Sequence, residues 1–246
     1  MRALTIITIL ILTSFTKSDF ISDQKQFERV RTAYAEKGEI VKSDLKKNGI
    51  NLDKLNLLIV VYKDEQLLEL YAKNKSDKQY IRLKTYDICA KSGQLGPKRR
   101  MGDNQVPEGF YHIERYNPAS SYYLSLGVSY PNSADKKKSN SSNLGGDIFI
   151  HGECVTIGCM PMTNDKIKEI YIYAIQARAA GQVKIPVYIF PFKMSDDNIR
   201  IYKAKYKNQP DLISFWNNIK IGHDKFLSEK SELNVKVDGI GDYVFD

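Results

Sequence analysis

The chain has 246 residues, of which 42% are hydrophobic and 27% are charged, and its formal net charge is +8. This length and composition predict one globular domain with additional segments, and they exclude repeat and low-complexity architectures. The basic surplus is spread along the chain without an aromatic-and-basic binding motif, so we do not expect a nucleic-acid partner.

Residues 1–18 have the pattern of a secretory signal peptide. Arg2 gives a short basic start, residues 3–12 are apolar except for two threonines, and Thr16 and Ser18 are small enough to flank a cleavage site. The apolar run is shorter than the roughly 20 residues that span a membrane, although an uncleaved anchor is the alternative interpretation. We therefore predict an exported protein of the periplasm or cell envelope, with no integral membrane segment after cleavage.

Cleavage also changes the charge balance. It removes two of the 37 basic residues, so 35 basic and 29 acidic residues leave a net charge of +6. A basic exported protein suits an anionic extracellular substrate.

The first half of the remaining chain predicts helices followed by strands. The predicted elements are two helices within 23–48, a hairpin of strands 56–62 and 66–71, and strands 80–90, 110–114 and 122–128. The glycine- and proline-rich loop 91–109 is long enough to suggest a functional role. The polar segment 129–146 is interpreted as a mobile loop or lid.

After residue 159 the pattern changes to helical. Thr163 is a good N-cap, apolar residues recur on one face up to Ala177, and Gly181 terminates the element. A strand at 184–191, a long amphipathic helix at 210–230 and a hairpin at 235–245 complete the predicted elements. Many strands that precede the later helices indicate the α+β class.

The segment from Gly145 to Cys159 carries the candidate chemistry. A β-branched and aromatic run ends at His151, and Gly152 follows it directly. A cysteine attacks as its thiolate, and a nearby imidazole lowers the thiol pKa and shuttles the proton to the leaving group. We therefore predict that Cys159 is a nucleophile and that His151 is its base.

Two further residues of this segment are candidate parts of the site. Gly158 allows a close turn before Cys159, where the amides of both residues could point at a developing oxyanion. The hydroxyl of Thr156, three residues before Cys159, could orient the imidazole or the loop.

The cysteines leave alternatives open. Cys154 and Cys159 could form a small disulfide, which would remove the nucleophile, or could bind zinc together with His151, although no fourth ligand follows at finger spacing. Three cysteines in an exported chain leave at least one unpaired, which points to a reactive thiol. Cys89, in a strand-like run, is interpreted as a small core residue.

Several motifs together resemble a known family. The sequence HGECVTIGC resembles the catalytic signature of the murein L,D-transpeptidase domain (YkuD-type), and the segment 92–113 resembles its Gly-Asp and Pro-x-Gly loop. The sequences NPASSYYLSLGVSYPN and MTNDKIKEIY extend the resemblance to the YafK-like branch of the family. Ile157 and the run Met160, Pro161, Met162 depart from the more usual second histidine and arginine.

The resemblance implies a β-rich, partly barrel-like fold that acts on peptidoglycan stem peptides with a meso-diaminopimelate donor. Cys159 would form an acyl-enzyme with His151 as general base and acid, and an amine acceptor would complete transpeptidation. Water in place of the amine would give a peptidase, and a non-catalytic murein-binding module is the further alternative. No cofactor or metal is expected, and the oligomeric state is left open.

The resemblance also implies binding residues and domain boundaries. The candidate substrate-binding residues are Gly152, Lys98, Arg99, Arg100 and Asp103, the basic side chains being suited to stem-peptide carboxylates. The predicted organisation is a signal peptide at 1–18, a helical segment at 19–54, the catalytic domain at 55–193 and a helix-and-hairpin extension at 194–246.

Overall fold

A computed structural model describes residues 17–246 of the chain. The predicted signal peptide lies outside these residues except for its last two positions, and it stays a prediction. Within the described range the helices are α1 (Lys17–Lys25), α2 (Glu28–Lys47), α3 (Ser133–Lys138), α4 (Asn164–Ala179), α5 (Asp196–Lys205) and α6 (Pro210–Glu229). The strands are β1 (Leu55–Tyr62), β2 (Leu67–Asn74), β3 (Ile81–Asp87), β4 (Gly109–Asn117), β5 (Ser125–Val128), β6 (Phe149–His151), β7 (Met160–Pro161), β8 (Ile185–Phe190), β9 (Val235–Val237) and β10 (Tyr243–Phe245).

The first eight strands form one mixed sheet in the order β3-β2-β1-β8-β4-β5-β6-β7. The β1–β8 and β6–β7 pairs are parallel, and the other pairs are antiparallel. The sheet curls into a half-barrel. Its two outer edges meet where the N–H of Cys89, just after β3, donates to the carbonyl oxygen of Pro161 in β7 at 3.0 Å. The predicted α+β, partly barrel-like fold is confirmed.

Strand β1 explains why the sheet has two hydrophobic cores. Its side chains alternate between the faces, so Leu57, Ile59 and Val61 enter one core and Leu58, Val60 and Tyr62 the other. Burial on both faces requires a continuous apolar run, and the sequence of β1 has one.

Helices α2 and α4 cover the first face of the sheet. Residues Val30, Ala33, Val41 and Leu45 of α2 form a buried stripe at helical spacing, and this stripe packs against α4. The predicted range 23–48 therefore holds one long helix, α2, rather than two, and α1 lies mostly before that range. None of the helices within residues 17–246 is long and apolar enough to cross a lipid bilayer.

The C-terminal residues cover the second face. Helix α6 begins with Pro210 at its first turn and buries Phe215, Trp216, Ile219 and Phe226 in the second core. The β9–β10 hairpin adds Tyr243 to the same core.

Two helices were not predicted. Helix α3 lies in the segment predicted as a loop or lid and is fixed by a capping box, in which the Asn132 side chain and Asp135 bond each other's backbone N–H groups. Helix α5 begins after Ser195, whose hydroxyl accepts from Asn198 N. Both helices are short and mostly polar, so their hydrophobic periodicity is weak.

Candidate active site

His151 is the last residue of β6 and Cys159 directly precedes β7, so the two residues flank this short strand pair at its opposite ends. Ile150 pairs with Met160 and His151 with Pro161 in this parallel pair, so Cys159 lies beside Phe149. Residues two apart on a strand share a face, and paired residues point to the same side. The register therefore presents the Cys159 thiol and the His151 imidazole on one face at the edge of the sheet.

The imidazole of His151 is held in one tautomer. Its Nδ1 lies 2.5 Å from the Gly152 carbonyl oxygen, and since a carbonyl can only accept, Nδ1 carries the proton and Nε2 is the basic nitrogen. The side chain is 2% exposed, and burial lowers its pKa below 6.5 although the Gly152 hydrogen bond and the Glu153 carboxylate raise it. The His151 imidazole is therefore neutral at pH 7.

The position of Gly152 has no room for a side chain. A Cβ at this position would lie 2.5 Å from Asn164 Oδ1 and 3.0 Å from both the Tyr122 carbonyl oxygen and the Tyr123 Cβ. The residue is predicted to bind substrate, but its observed contacts are with the protein and with the imidazole.

The thiol of Cys159 is half-buried and not ionised at neutral pH. Burial raises its pKa above 9.0, although a hydrogen bond with the Phe149 backbone and the charge of Lys98 lower it. The thiol donates to the Asp147 carbonyl oxygen at 3.6 Å. We expected the imidazole to lower this pKa, whereas desolvation dominates here.

Thr156 organises the turn before the cysteine. Its Oγ1 accepts hydrogen bonds from Gly158 N at 3.1 Å and from Cys159 N at 2.8 Å, and donates to the Cys159 carbonyl oxygen at 2.8 Å. Thr156 thus orients the loop rather than the imidazole, as short hydroxyl side chains often do in turns. The two amides predicted to face an oxyanion are engaged by this hydroxyl.

Gly158 is required by both conformation and space. Its φ is +135°, and a Cβ there would lie 3.1 Å from the Gln105 carbonyl oxygen. The Gly-Cys pair therefore fits closely against the 91–109 loop.

Cys89 and Cys154 form a disulfide with a Cα–Cα distance of 5.4 Å, and Cys159 is free. The interpretation of Cys89 as an unpaired core residue is therefore wrong. The alternative of a Cys154–Cys159 disulfide is also wrong. Because Cys154 is bonded to Cys89, it is not available as a zinc ligand beside His151. The disulfide attaches the loop between His151 and Cys159 to the opposite edge of the curled sheet.

The Asp103 carboxylate organises the basic loop. It accepts from Lys98 Nζ at 2.6 Å and from the backbone N–H groups of Arg99, Arg100 and Gln105 at 2.9–3.1 Å. Burial alone would raise the pKa of Asp103, but these donors hold it below the ordinary value of 3.8. Asp103 therefore shapes the turn.

The three basic residues predicted to bind substrate differ in their surroundings. Lys98 is 5% exposed and bonded to Asp103, and Arg99 pairs with the buried Asp135 at 2.9 Å. The Arg100 side chain is exposed and makes no ion pair with residues 17–246. Among these three residues of the described chain, Arg100 alone presents an unpaired cation to solvent.

A narrow cavity opens beside the thiol. Cys159 shares this cavity with residues of β1 and the turn after it, of the segment after β3, of the 91–109 loop and of β7: Val61, Lys63, Gln66, Ile88, Ala90, Lys91, Ser92, Gln94, Val106 and Met160. Since Cys159, the candidate nucleophile, forms part of its wall, the cavity is the candidate binding pocket.

Lys63 connects this cavity to the C-terminal helix. Its Nζ donates to the carbonyl oxygens of Gly96 and Val106 and to Glu108 Oε1 at 2.8–2.9 Å, and the indole N–H of Trp216 donates to Glu108 Oε2 at 3.0 Å. This buried network holds the cavity-lining loop against α6. Sequence reasoning missed it, because the partners lie on three distant segments.

Tyr122 was also missed as part of the site. Its ring centroid lies 4.8 Å from that of His151, while 44% of the residue is exposed. The predicted strand 122–128 begins only at Ser125, so Tyr122 belongs to the preceding turn. The Asn-Pro turn signal at Asn117 indicates a loop there but carries no indication of what the loop contacts.

Comparison with known protein families identifies the class of the protein. The family described as L,D-transpeptidase catalytic domain matches residues 56–189, and the chain belongs to that family. The predicted resemblance is thus confirmed.

Curated relatives extend the match beyond the domain. The protein named "Putative L,D-transpeptidase YafK" from Escherichia coli K12 is 40% identical over 181 residues, which cover 73% of this chain and 70% of that protein. The protein of the same name from Escherichia coli O157:H7 matches to the same extent.

The solved structures found to be similar are more distant. The helical cell shape determining protein Pgp2 from Campylobacter jejuni has 18% identity and a TM-score of 0.45, with 76% of this chain and 74% of that chain covered. Bd1075 from Bdellovibrio bacteriovorus has 24% identity and a TM-score of 0.39, with 56% and 48% covered.

Proposed function

We propose that this protein is a cell-wall cysteine acyltransferase of the L,D-transpeptidase type, which acts on peptidoglycan stem peptides in the cell envelope after export. The observation that carries the proposal is the β6–β7 register, which presents the Cys159 thiol on the same face as His151. The bond from Nδ1 to the Gly152 carbonyl leaves Nε2 of His151 as the base. Family membership supports the substrate class.

The first half of the reaction uses the thiol and the neutral imidazole. His151 Nε2 takes the thiol proton as the sulfur of Cys159 attacks the carbonyl carbon of the meso-diaminopimelate residue. The carbon–nitrogen bond beyond this residue breaks, and the imidazolium gives the proton to the departing amine. The product is a thioester between Cys159 and the donor stem.

The second half decides between transfer and hydrolysis. An acceptor amine, deprotonated by His151, attacks the thioester carbonyl, and the sulfur leaves and regains its proton. Water in the place of the amine gives a peptidase with the same site. A murein-binding module without catalysis would retain the fold but form no thioester.

Among the predicted binding residues, Arg100 is proposed to contact a stem-peptide carboxylate, because its guanidinium is exposed and makes no ion pair within the described residues. Lys98, Arg99 and Asp103 are proposed to shape the loop. Gly152 is proposed to orient the imidazole.

The test of the proposal is substitution of the nucleophile. Cys159→Ala and Cys159→Ser should lower muropeptide turnover by at least about 1,000-fold while leaving the unfolding midpoint close to that of the native chain. Mass spectrometry of tri- and tetrapeptide muropeptides distinguishes a lost residue from a gained crosslink, and intact-protein mass detects the thioester. Equal turnover by Cys159→Ala would refute the proposal.

A second pair of variants tests the base. His151→Gln should also abolish turnover, whereas His112→Gln, a partly exposed histidine of β4 bonded to Ser129, should retain it. A loss of turnover in His151→Gln but not in His112→Gln would show that the effect is specific to His151.

The pKa directions predict a broad pH optimum. The pKa of His151 lies below 6.5 and that of Cys159 above 9.0, so between these values both groups are neutral and ready for the first proton transfer. Below the window the imidazole gains a proton and cannot act as base, and above it the thiol loses the proton that the leaving amine needs. A kcat/KM profile should be flat between pH 6.5 and 9.0. A steep rise inside the window would instead identify a pre-ionised thiolate as the reactive species.

A further inference from the structure

The His151 ring has an aromatic neighbour that lies outside the segment with the catalytic signature. The rings of Tyr122 and His151 are tilted by 35° with centroids 4.8 Å apart, so Tyr122 covers one side of the imidazole. The Tyr122 hydroxyl makes no hydrogen bond to the residues that the structure describes. Contact with His151 is therefore made by the ring rather than by the hydroxyl.

The loop that carries Tyr122 is held by the N-terminal helical segment. Arg29, in the first turn of α2, donates to the carbonyl oxygen of Ser120 and, at 2.8 Å, to that of Tyr123. The Arg29 guanidinium also lies 5.5 Å from the centroid of the Tyr123 ring. Because a guanidinium has several donors in a fixed plane, one side chain can fix two carbonyls of this loop.

The same loop packs directly on Gly152. Gly152 N donates to the Leu124 carbonyl oxygen at 3.1 Å, and the Tyr122 carbonyl oxygen and Tyr123 Cβ occupy the space where a Gly152 side chain would lie. Gly152 in turn accepts the Nδ1 proton of His151. A shift of the loop would therefore reach the imidazole through both its ring cover and its hydrogen-bond acceptor.

We propose that Tyr122 and Arg29 are positioning residues for His151, Tyr122 by covering the imidazole and Arg29 by fixing the loop that carries Tyr122. This inference rests on the proposed role of His151 as the base. It makes the N-terminal helical segment, which lies outside the matched family domain at 56–189, part of the catalytic unit.

The kinetic test compares matched variants. Arg31 lies on the same helix and also donates to two carbonyls, but these belong to Lys25 and Gln26 of the N-terminal segment itself. Arg29→Ala should lower kcat about threefold to tenfold with KM changed by less than about twofold, whereas Arg31→Ala should leave both within about twofold. Tyr122→Ala should lower kcat about tenfold, and Tyr122→Phe should stay within about twofold because it keeps the ring.

A second measurement needs no substrate. Histidine-labelled protein allows the imidazole titrations to be followed by NMR, and the His151→Gln spectrum assigns the signal of His151. Glu153 is the charged side chain that acts on this imidazole, and none of these substitutions changes it. Arg29→Ala and Tyr122→Ala should raise the pKa of His151 towards 6.5 as water reaches the ring, and the two control variants should not.

The outcomes separate the two proposals. Lack of muropeptide turnover by the native chain would refute the proposed function, while the titrations would still decide whether Arg29 and Tyr122 hold His151. Equal titration of His151 in Arg29→Ala and Arg31→Ala, or in Tyr122→Ala and Tyr122→Phe, would overturn the positioning role. Tyr122 is well exposed, so its variants keep the test valid even if Arg29→Ala lowers the unfolding midpoint.

Discussion

Gly152 stands at a point where three neighbouring groups leave no room for a side chain. The amide oxygen of Asn164 and the loop at Tyr122 and Tyr123 lie within 3.0 Å of the position that a Cβ would take, and two of these contacts involve atoms that cannot move without shifting the backbone. The Gly152 carbonyl also fixes the tautomer of His151. The packing of the loop at Tyr122 and Tyr123 and the position of the His151 proton thus both depend on Gly152.

Gly152→Ala should therefore lower both stability and activity. We expect a loss of about 1–3 kcal/mol in the free energy of unfolding from overpacking, together with reduced turnover as the imidazole is displaced. Gly146→Ala is the matched control, because a Cβ at Gly146 meets nothing within 4 Å. Chemical denaturation and muropeptide turnover of both variants test this, and equal behaviour of the two would contradict it.

At the scale of residues, the sequence was sufficient to select His151 and Cys159 as candidates, because a histidine and a glycine-preceded cysteine in one short segment are an unusual combination. It was not sufficient to predict the direction of the Cys159 pKa, which depends on burial by distant segments. Nor could it predict that Thr156 would engage the amides of Gly158 and Cys159. From the sequence alone, the amides of Gly158 and Cys159 could equally have faced a ligand.

At the scale of elements, the disulfide joins the ends of the curled sheet. Cys89 follows β3, Cys154 lies between β6 and β7, and the two are 65 positions apart in sequence. Because Cys89 also bonds Pro161 through its backbone, the covalent link reinforces a contact that the backbone already makes. The loop between His151 and Cys159 is thereby attached to the segment that follows β3.

Replacement of both paired cysteines should destabilise the protein without removing the free thiol of Cys159. Since the link closes a loop of 65 residues, Cys89→Ser/Cys154→Ser should lose about 2–4 kcal/mol of unfolding free energy. Urea denaturation measures this loss, and the native chain under reducing conditions should show the same reduction. If the double variant were as stable as the native chain, the anchoring role would be wrong.

The strands and long helices were predictable because their apolar residues recur with the right period, as in β1 and α6. The pairing of Cys89 with Cys154 was not, because cysteine connectivity depends on which strand edges meet in three dimensions. Helix α5 was missed because Ser195 and the acidic first turn, Asp196 and Asp197, are weak signals without an apolar stripe.

At the scale of the whole molecule, the C-terminal residues complete the second core and are not a separate appendage. Phe226 of α6 packs edge-on against Tyr71 of β2 and Tyr188 of β8, with ring centroids 5.1 and 5.6 Å apart. The predicted boundary at residue 193 therefore crosses a shared core. We expect the sheet and the extension to unfold as one unit.

Phe226→Ala should lower the free energy of unfolding of the entire protein by about 3–5 kcal/mol, in a single transition that both far-ultraviolet and near-ultraviolet circular dichroism follow. The adjacent Leu227→Ala is the control, because Leu227 is 44% exposed and should cost less than about 1 kcal/mol. Two separate transitions would show instead that the extension folds independently.

The bond from Trp216 to Glu108 gives the protein a built-in optical reporter. The chain has one tryptophan and 16 tyrosines. The indole of Trp216 is fully buried and bonds Glu108, which also bonds Lys63 in the wall of the thiol cavity. Its emission spectrum depends on the charge and hydration around the ring. Selective excitation of Trp216 should therefore report a change in the charge or hydration of the network that reaches the cavity wall, without a label and without altering Cys159.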